Sequence, residues 1–92
     1  METLNVGDIV LWSGAWGTQP EQMARVRILT RVDGPGDKDG KDVENMKWED
    51  VPRYALADLD NGHYAYGYQL SPVEQDEAIE TYMREWLGRI TI

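Results

Sequence analysis

The stretch Met23-Ala24-Arg25-Val26-Arg27-Ile28-Leu29-Thr30-Arg31-Val32 decides the fold. Ala24, Val26, Ile28, Thr30 and Val32 alternate with Arg25, Arg27, Leu29 and Arg31. A period of two over ten residues predicts a β-strand with one buried and one wet face. Arg25, Arg27 and Arg31 then form a basic stripe on the wet face. Arg25 and Arg27 are candidate contacts for the phosphate of a ligand. The plainer reading is a solvated face whose arginines pair with nearby acids.

Two further runs, Tyr54–Asp60 and His63–Leu70, flank Asn61-Gly62. That dipeptide predicts a two-residue hairpin turn, because both central residues of a type I′ turn need positive φ. With this turn Asp60 faces His63, Leu59 faces Tyr64, Ala57 faces Tyr66 and Ala55 faces Tyr68. One face reads Ala55, Ala57, Leu59, Tyr64, Tyr66, Tyr68 and Leu70, with small residues opposite large rings. The other, wetter face carries Tyr54, Leu56, Asp58, Asp60, His63, Ala65, Gly67 and Gln69.

Working outward, Val6–Trp12 reads as a first strand launched by Gly7-Asp8. Ser13–Pro20 is a Gly- and Pro-containing loop. It holds Trp16, either as a lid on the core or as a ligand contact. Asp33–Asp42 is an acidic turn. Setting Gly40 at the sixth position of a calcium loop puts Pro35 at the first and Met46 at the twelfth, so the calcium pattern fails. Val43–Glu49 is a short strand with Met46 and Trp48 on one face, broken at Pro52. Ser71-Pro72-Val73-Glu74 predicts a helix N-terminus with Ser71 as the cap. Ile79, Tyr82, Met83, Trp86 and Leu87 recur at the helical period over 72–87. This stripe either caps an open end of the sheet structure or pairs with a second copy, with Trp86 central to the interface. Arg89–Ile92 reads as a β-prone tail after Gly88.

The 92 residues suffice for one domain, with 41% hydrophobic and 28% charged residues, the mix of a globular chain. Uncharged stretches such as Ile9–Pro20 are far short of the ~20 apolar residues that span a bilayer. The first residues lack the basic and apolar regions of a secretory signal, so a cytoplasmic location and no membrane partner are expected. The net charge is -8, and residues 33–80 hold thirteen acids against four bases. Affinity for phosphate backbones comes mainly from Lys and Arg, so direct duplex DNA binding is not expected. The acidity is either solubility charge or a surface that imitates nucleic acid or docks on a basic partner.

There is no Cys, which excludes disulfides, a Cys nucleophile and thiolate metal sites. Walker and G-x-G-x-x-G loops are absent, and no metal or cofactor is expected. His63 beside Asp60 could serve as a general base, but no nucleophile accompanies it. Asp58 and Asp60, two apart, equally describe a solvated strand face. The balance favours a protein that is not an enzyme. Four Trp and five Tyr with no Phe give large apolar bodies with polar handles, as core fillers or as binding groups.

The Gly7-Asp8-Ile9-Val10 opening, the loop Trp16, the rhythm of about five short strands and the closing Leu59-Asp60-Asn61-Gly62-His63-Tyr64-Ala65-Tyr66-Gly67-Tyr68 resemble the small SH3-like barrels. These include KOW- and Tudor-like modules of bacterial and phage proteins. The resemblance covers about residues 4–72. It implies a mainly β (α+β) fold, an SH3-like barrel over 1–70 with an added helix and tail over 71–92. It also implies a non-enzymatic binding module. The expected ligand-binding residues are Trp16, Arg25, Arg27, Trp48, His63, Tyr64 and Tyr66, facing a small anionic or nucleotide ligand. Ile79, Tyr82, Met83 and Trp86 are the expected interface of a possible homodimer. A phage counter-defence protein that sequesters a nucleotide signal or blocks a host effector is one concrete form. An acidic protein-interaction or nucleic-acid-mimic module is the alternative.

Overall fold

A computed structural model describes residues 2–14 and 21–90, with the backbone alone for 85–90. The elements are β1 (Thr3–Asn5), β2 (Ile9–Trp12), β3 (Gln22–Val32), β4 (Gly40–Val43), β5 (Asn45–Lys47), α1 (Val51–Tyr54), β6 (Ala55–Leu59), β7 (Tyr64–Tyr66), β8 (Leu70–Pro72) and α2 (Gln75–Ile90). The fold is mainly β with a C-terminal helix. The main sheet runs β7-β6-β3-β2-β8, with β4 also on β3, and β1-β5 forms a separate ribbon. Among the described residues no sheet closes into the expected barrel; the strands form one open sheet and the separate ribbon, which share one core.

Strand β3 is the spine, pairing with β2, β4 and β6. Its alternation does not persist. A bulge between Val26 and Ile28 inserts Arg27 into the ladder with β6. One extra residue reverses which side chains face inward. Ala24 and Val26 are buried before the bulge, whereas Leu29 is buried after it and Ile28 is 42% exposed. The single stripe of Arg25, Arg27 and Arg31 is therefore broken. Arg31 falls on the parity of Leu29, opposite Ala55.

The hairpin turn is also one residue longer than expected. Gly62 N–H donates to Leu59 C=O (3.2 Å), and Leu59 N–H donates to His63 C=O (2.9 Å). Gly62 takes φ +87°, and Asn61 does not have positive φ. This is a three-residue loop, a turn followed by a left-handed glycine. Tyr64 consequently pairs with Asp58, Ala65 with Ala57 and Tyr66 with Leu56. The shift turns the tyrosines away from the alanines. Ala55, Ala57, Leu59 and Ala65 are buried, while Tyr64 is 70% exposed.

The core joins Leu4, Val10, Trp12, Ala24, Val26, Leu29, Met46, Val51, Leu59 and Leu70, with Trp48 and Tyr54 packed against it. Buried Gln69 ties its edge: the side-chain carbonyl accepts from Trp12 Nε1 (3.3 Å) and Tyr66 N–H (3.1 Å). Gly67 permits the close docking of α1, since a Cβ there would stand 1.6 Å from the Val51 carbonyl oxygen.

Ser71 and Pro72 are strand residues rather than a helix cap, pairing with Leu11 and Val10. The helix begins at Gln75 and continues through Gly88 to Ile90, so the expected break at Gly88 and an extended Arg89-Ile90 are both corrected. Gln75 completes the edge that β8 leaves unfinished. Its amide accepts from Ile9 N–H (2.8 Å) and donates to Ile9 C=O (2.7 Å). Ala78 is buried, and the Tyr82 hydroxyl donates to Asp60 Oδ2. Ile79 and Met83 are each 44% exposed, so the sheets do not cover that part of the stripe. The side chains of Trp86 and Leu87 lie outside the described residues.

Candidate binding face

Reversal of the hairpin parity builds a site on the outer face of β6–β7. Short β7 keeps side chains at i and i+2 on one side, so Tyr64 and Tyr66 stand together. Their cross-strand partners, Asp58 and Leu56, share that side. Lys38, from the β3–β4 connection, joins Leu56, Tyr64 and Tyr66 around a cleft of about 440 Å³. Tyr66 stacks on Tyr68 with ring centroids 5.7 Å apart and planes 17° from parallel. The stack holds Tyr66 in place, while Tyr64 presents its ring to solvent. Chemically the face offers exposed π-surfaces, an aliphatic floor, one ammonium group and, opposite Tyr64, the Asp58 carboxylate. Exposed rings over an aliphatic floor suit a planar apolar group.

The other expected ligand residues do not converge there. His63 faces Leu59 rather than Asp60, and its ring lies 4.7 Å from that of Trp12. Asp60 instead receives the Arg25 backbone N–H at Oδ1 (2.9 Å) and the Tyr82 hydroxyl at Oδ2. The expected Asp60–His63 juxtaposition is thus replaced by two separate packing roles. Arg25 is also engaged: its guanidinium donates to the Gly7 carbonyl (3.2 Å) and lies 5.8 Å from the Tyr82 ring centroid. Arg27 is exposed at the bulge. Trp48 lines a different cleft of about 380 Å³ with Glu2, Thr3, Lys47 and Glu49. Trp16 lies outside the described residues. Lys38 and Leu56 were missed in the sequence because each depends on register. Lys38 belongs to an acidic turn in sequence, and a two-residue turn puts Leu56 on the face away from the tyrosines.

Among the described residues no three His, Asp or Glu side chains group as a metal site, and no helix is long and apolar enough to cross a membrane. Compared with protein-family models, curated proteins and solved structures, the chain matches none. The class of the molecule therefore rests on its own geometry: a mainly β, α+β domain with an aromatic outer sheet face.

Proposed function

We propose that this chain is a non-enzymatic binding module, related in kind to the SH3-like barrels, whose Tyr64–Tyr66 face captures a small anionic ring ligand of nucleotide type. The observation that carries the reading is the exposure of Tyr64 beside a cleft shared with Tyr66, Leu56 and Lys38. Burying such rings would contribute to folding, and leaving them in water makes that apolar area available to a ligand. The base would stack on Tyr64 or Tyr66, and Lys38 would meet the phosphate. Sequestration of a nucleotide signal, as by a phage counter-defence protein, is the biological form of this chemistry. A second copy placed along Ile79 and Met83 would double the valency of the module; light scattering tests that arrangement.

Isothermal titration calorimetry with the four nucleoside monophosphates tests the assignment. Saturable binding that Tyr66→Ala and Lys38→Gln each weaken supports it. Binding that both variants leave intact moves the site elsewhere. Capture of a protein partner with a steep loss of affinity in salt would instead favour the acidic, nucleic-acid-like surface.

A further inference from the structure

A second cluster, apart from the tyrosine face, gathers cations in a chain that is otherwise acidic. Arg31 lies near the end of β3, and Lys41 stands directly opposite it in the β3–β4 ladder. Like charges placed directly across a ladder repel and destabilise the pairing. Arg53, on α1, brings a third cation. The Arg31 guanidinium carbon is 4.8 Å from the Tyr54 ring centroid and that of Arg53 is 5.8 Å from the same centroid. One tyrosine ring thus contacts two guanidinium groups. Among the described residues, one carboxylate forms an ion pair with this group: Asp50, 3.9 Å from Arg31, with both side chains well exposed. A surface pair at that distance offsets little of the repulsion.

The backbone around the cluster is clamped. The close approach at Gly67 seats α1 and therefore Arg53 and Tyr54. At the other side, a Cβ on Gly40 would stand 1.9 Å from the Arg31 carbonyl oxygen, so β4 hugs β3 where Lys41 meets Arg31. Tyr54 packs on the core, which fixes the ring against which both arginines lie. Arg31, Lys41 and Arg53 remain exposed. The result is an accessible set of three cationic side chains on clamped backbone, with one weakly held counter-charge.

We infer that Arg31, Lys41 and Arg53, arranged around Tyr54, form a binding site for a phosphate group. Guanidinium groups match the oxygens of a phosphate in pairs, and an ammonium adds a third donor. A bound dianion removes the repulsion between Arg31 and Lys41. The site does not depend on the tyrosine cleft.

The test is a titration of the ¹⁵N-labelled full chain with inorganic phosphate at constant ionic strength, with chloride as the reference. A second arm uses phenyl phosphate. Saturable shifts centred on residues 31, 41, 53 and 54, weakened about tenfold or more by Arg53→Gln and by Lys41→Gln, are expected. Both substitutions are on exposed side chains, and the spectrum of each variant reports that it folds. Tighter binding of phenyl phosphate, read from the shifts of residues 31, 41, 53 and 54, identifies a phosphate ester as the natural class, and equal binding there identifies the free anion. Shifts that match those in chloride, lie elsewhere, or survive both substitutions overturn the site.

Discussion

The inner and outer faces of the β6–β7 hairpin are built from neighbouring residues yet have opposite chemistry. Inward, Ala57 and Ala65 pair as two small side chains with no exposed surface, in the same core as Leu29 and Leu59. Outward, Tyr64 and Tyr66 pair with Asp58 and Leu56, and Tyr64 is largely in water. The same strands with a turn one residue shorter would exchange these faces. The contrast teaches that side-chain size alone does not say which face is core: small residues can be inside because another layer packs closely, and large ones can be outside to contact a ligand.

The largest effect in this comparison is expected from the inner face. Leu59→Ala removes a fully buried side chain between β3 and β7. Cavity formation and lost burial should cost about 2–5 kcal/mol. Urea unfolding monitored by Trp fluorescence measures the loss. A cost under about 1 kcal/mol would mean that Leu59 is not core, and the assigned parity would fail with it.

Next comes the polar link at the end of the hairpin. Replacing Gln69 with Leu keeps the bulk but leaves the Trp12 indole N–H and the Tyr66 N–H without their acceptor. A buried donor without a partner costs about 1–3 kcal/mol. The near-ultraviolet circular dichroism of Trp12 should change along with the melting temperature. An unaltered melt would show that water replaces the amide, so that the edge is more open than its burial indicates.

How much of this was legible depended on whether a feature was local. The β3 strand, the hairpin and the C-terminal helix all follow from period and turn residues within a few positions of one another. Two single-residue decisions did not. Asn61-Gly62 suits a type I′ turn by composition, but Asp60 is held by the Arg25 backbone, 35 residues away in sequence, and this draws Asp60 into the loop. The Arg27 bulge likewise reflects the fit between β3 and β6, which alternation along β3 cannot report. Ser71-Pro72 satisfies a helix-start pattern, yet β2 lacked an edge partner and took Ser71 and Pro72 as strand residues. The candidate site inherited these errors. Tyr64 and Tyr66 were identified by type, but their neighbours Leu56 and Lys38 required the true register.

The turn itself gives a smaller test. Gly62→Val places a β-branched residue at φ +87°, where nothing crowds the new Cβ but the backbone conformation is costly. The expected loss is about 1–2 kcal/mol. Gly62→Asn should retain more stability, because Asn tolerates the left-handed region. Equal melting temperatures for Val, Asn and the parent Gly would refute the three-residue loop.

The smallest effect on stability, and the most informative for function, belongs to the outer face. Tyr64→Ala removes a ring that is 70% exposed and opposite Asp58 in the ladder. Surface substitutions of this kind usually stay within about 0.5 kcal/mol. The ring should nevertheless matter to a ligand, since stacking of a base on an aromatic side chain contributes about 1–3 kcal/mol. The expected signature is therefore a split: unchanged unfolding beside nucleotide binding weakened roughly five- to hundredfold, the range that this stacking energy implies. If Tyr64→Ala instead destabilises the chain as Leu59→Ala does, the ring belongs to the core and the two faces have been exchanged. If it changes neither stability nor nucleotide binding, its exposure is ordinary surface, and the binding face must be sought away from β7.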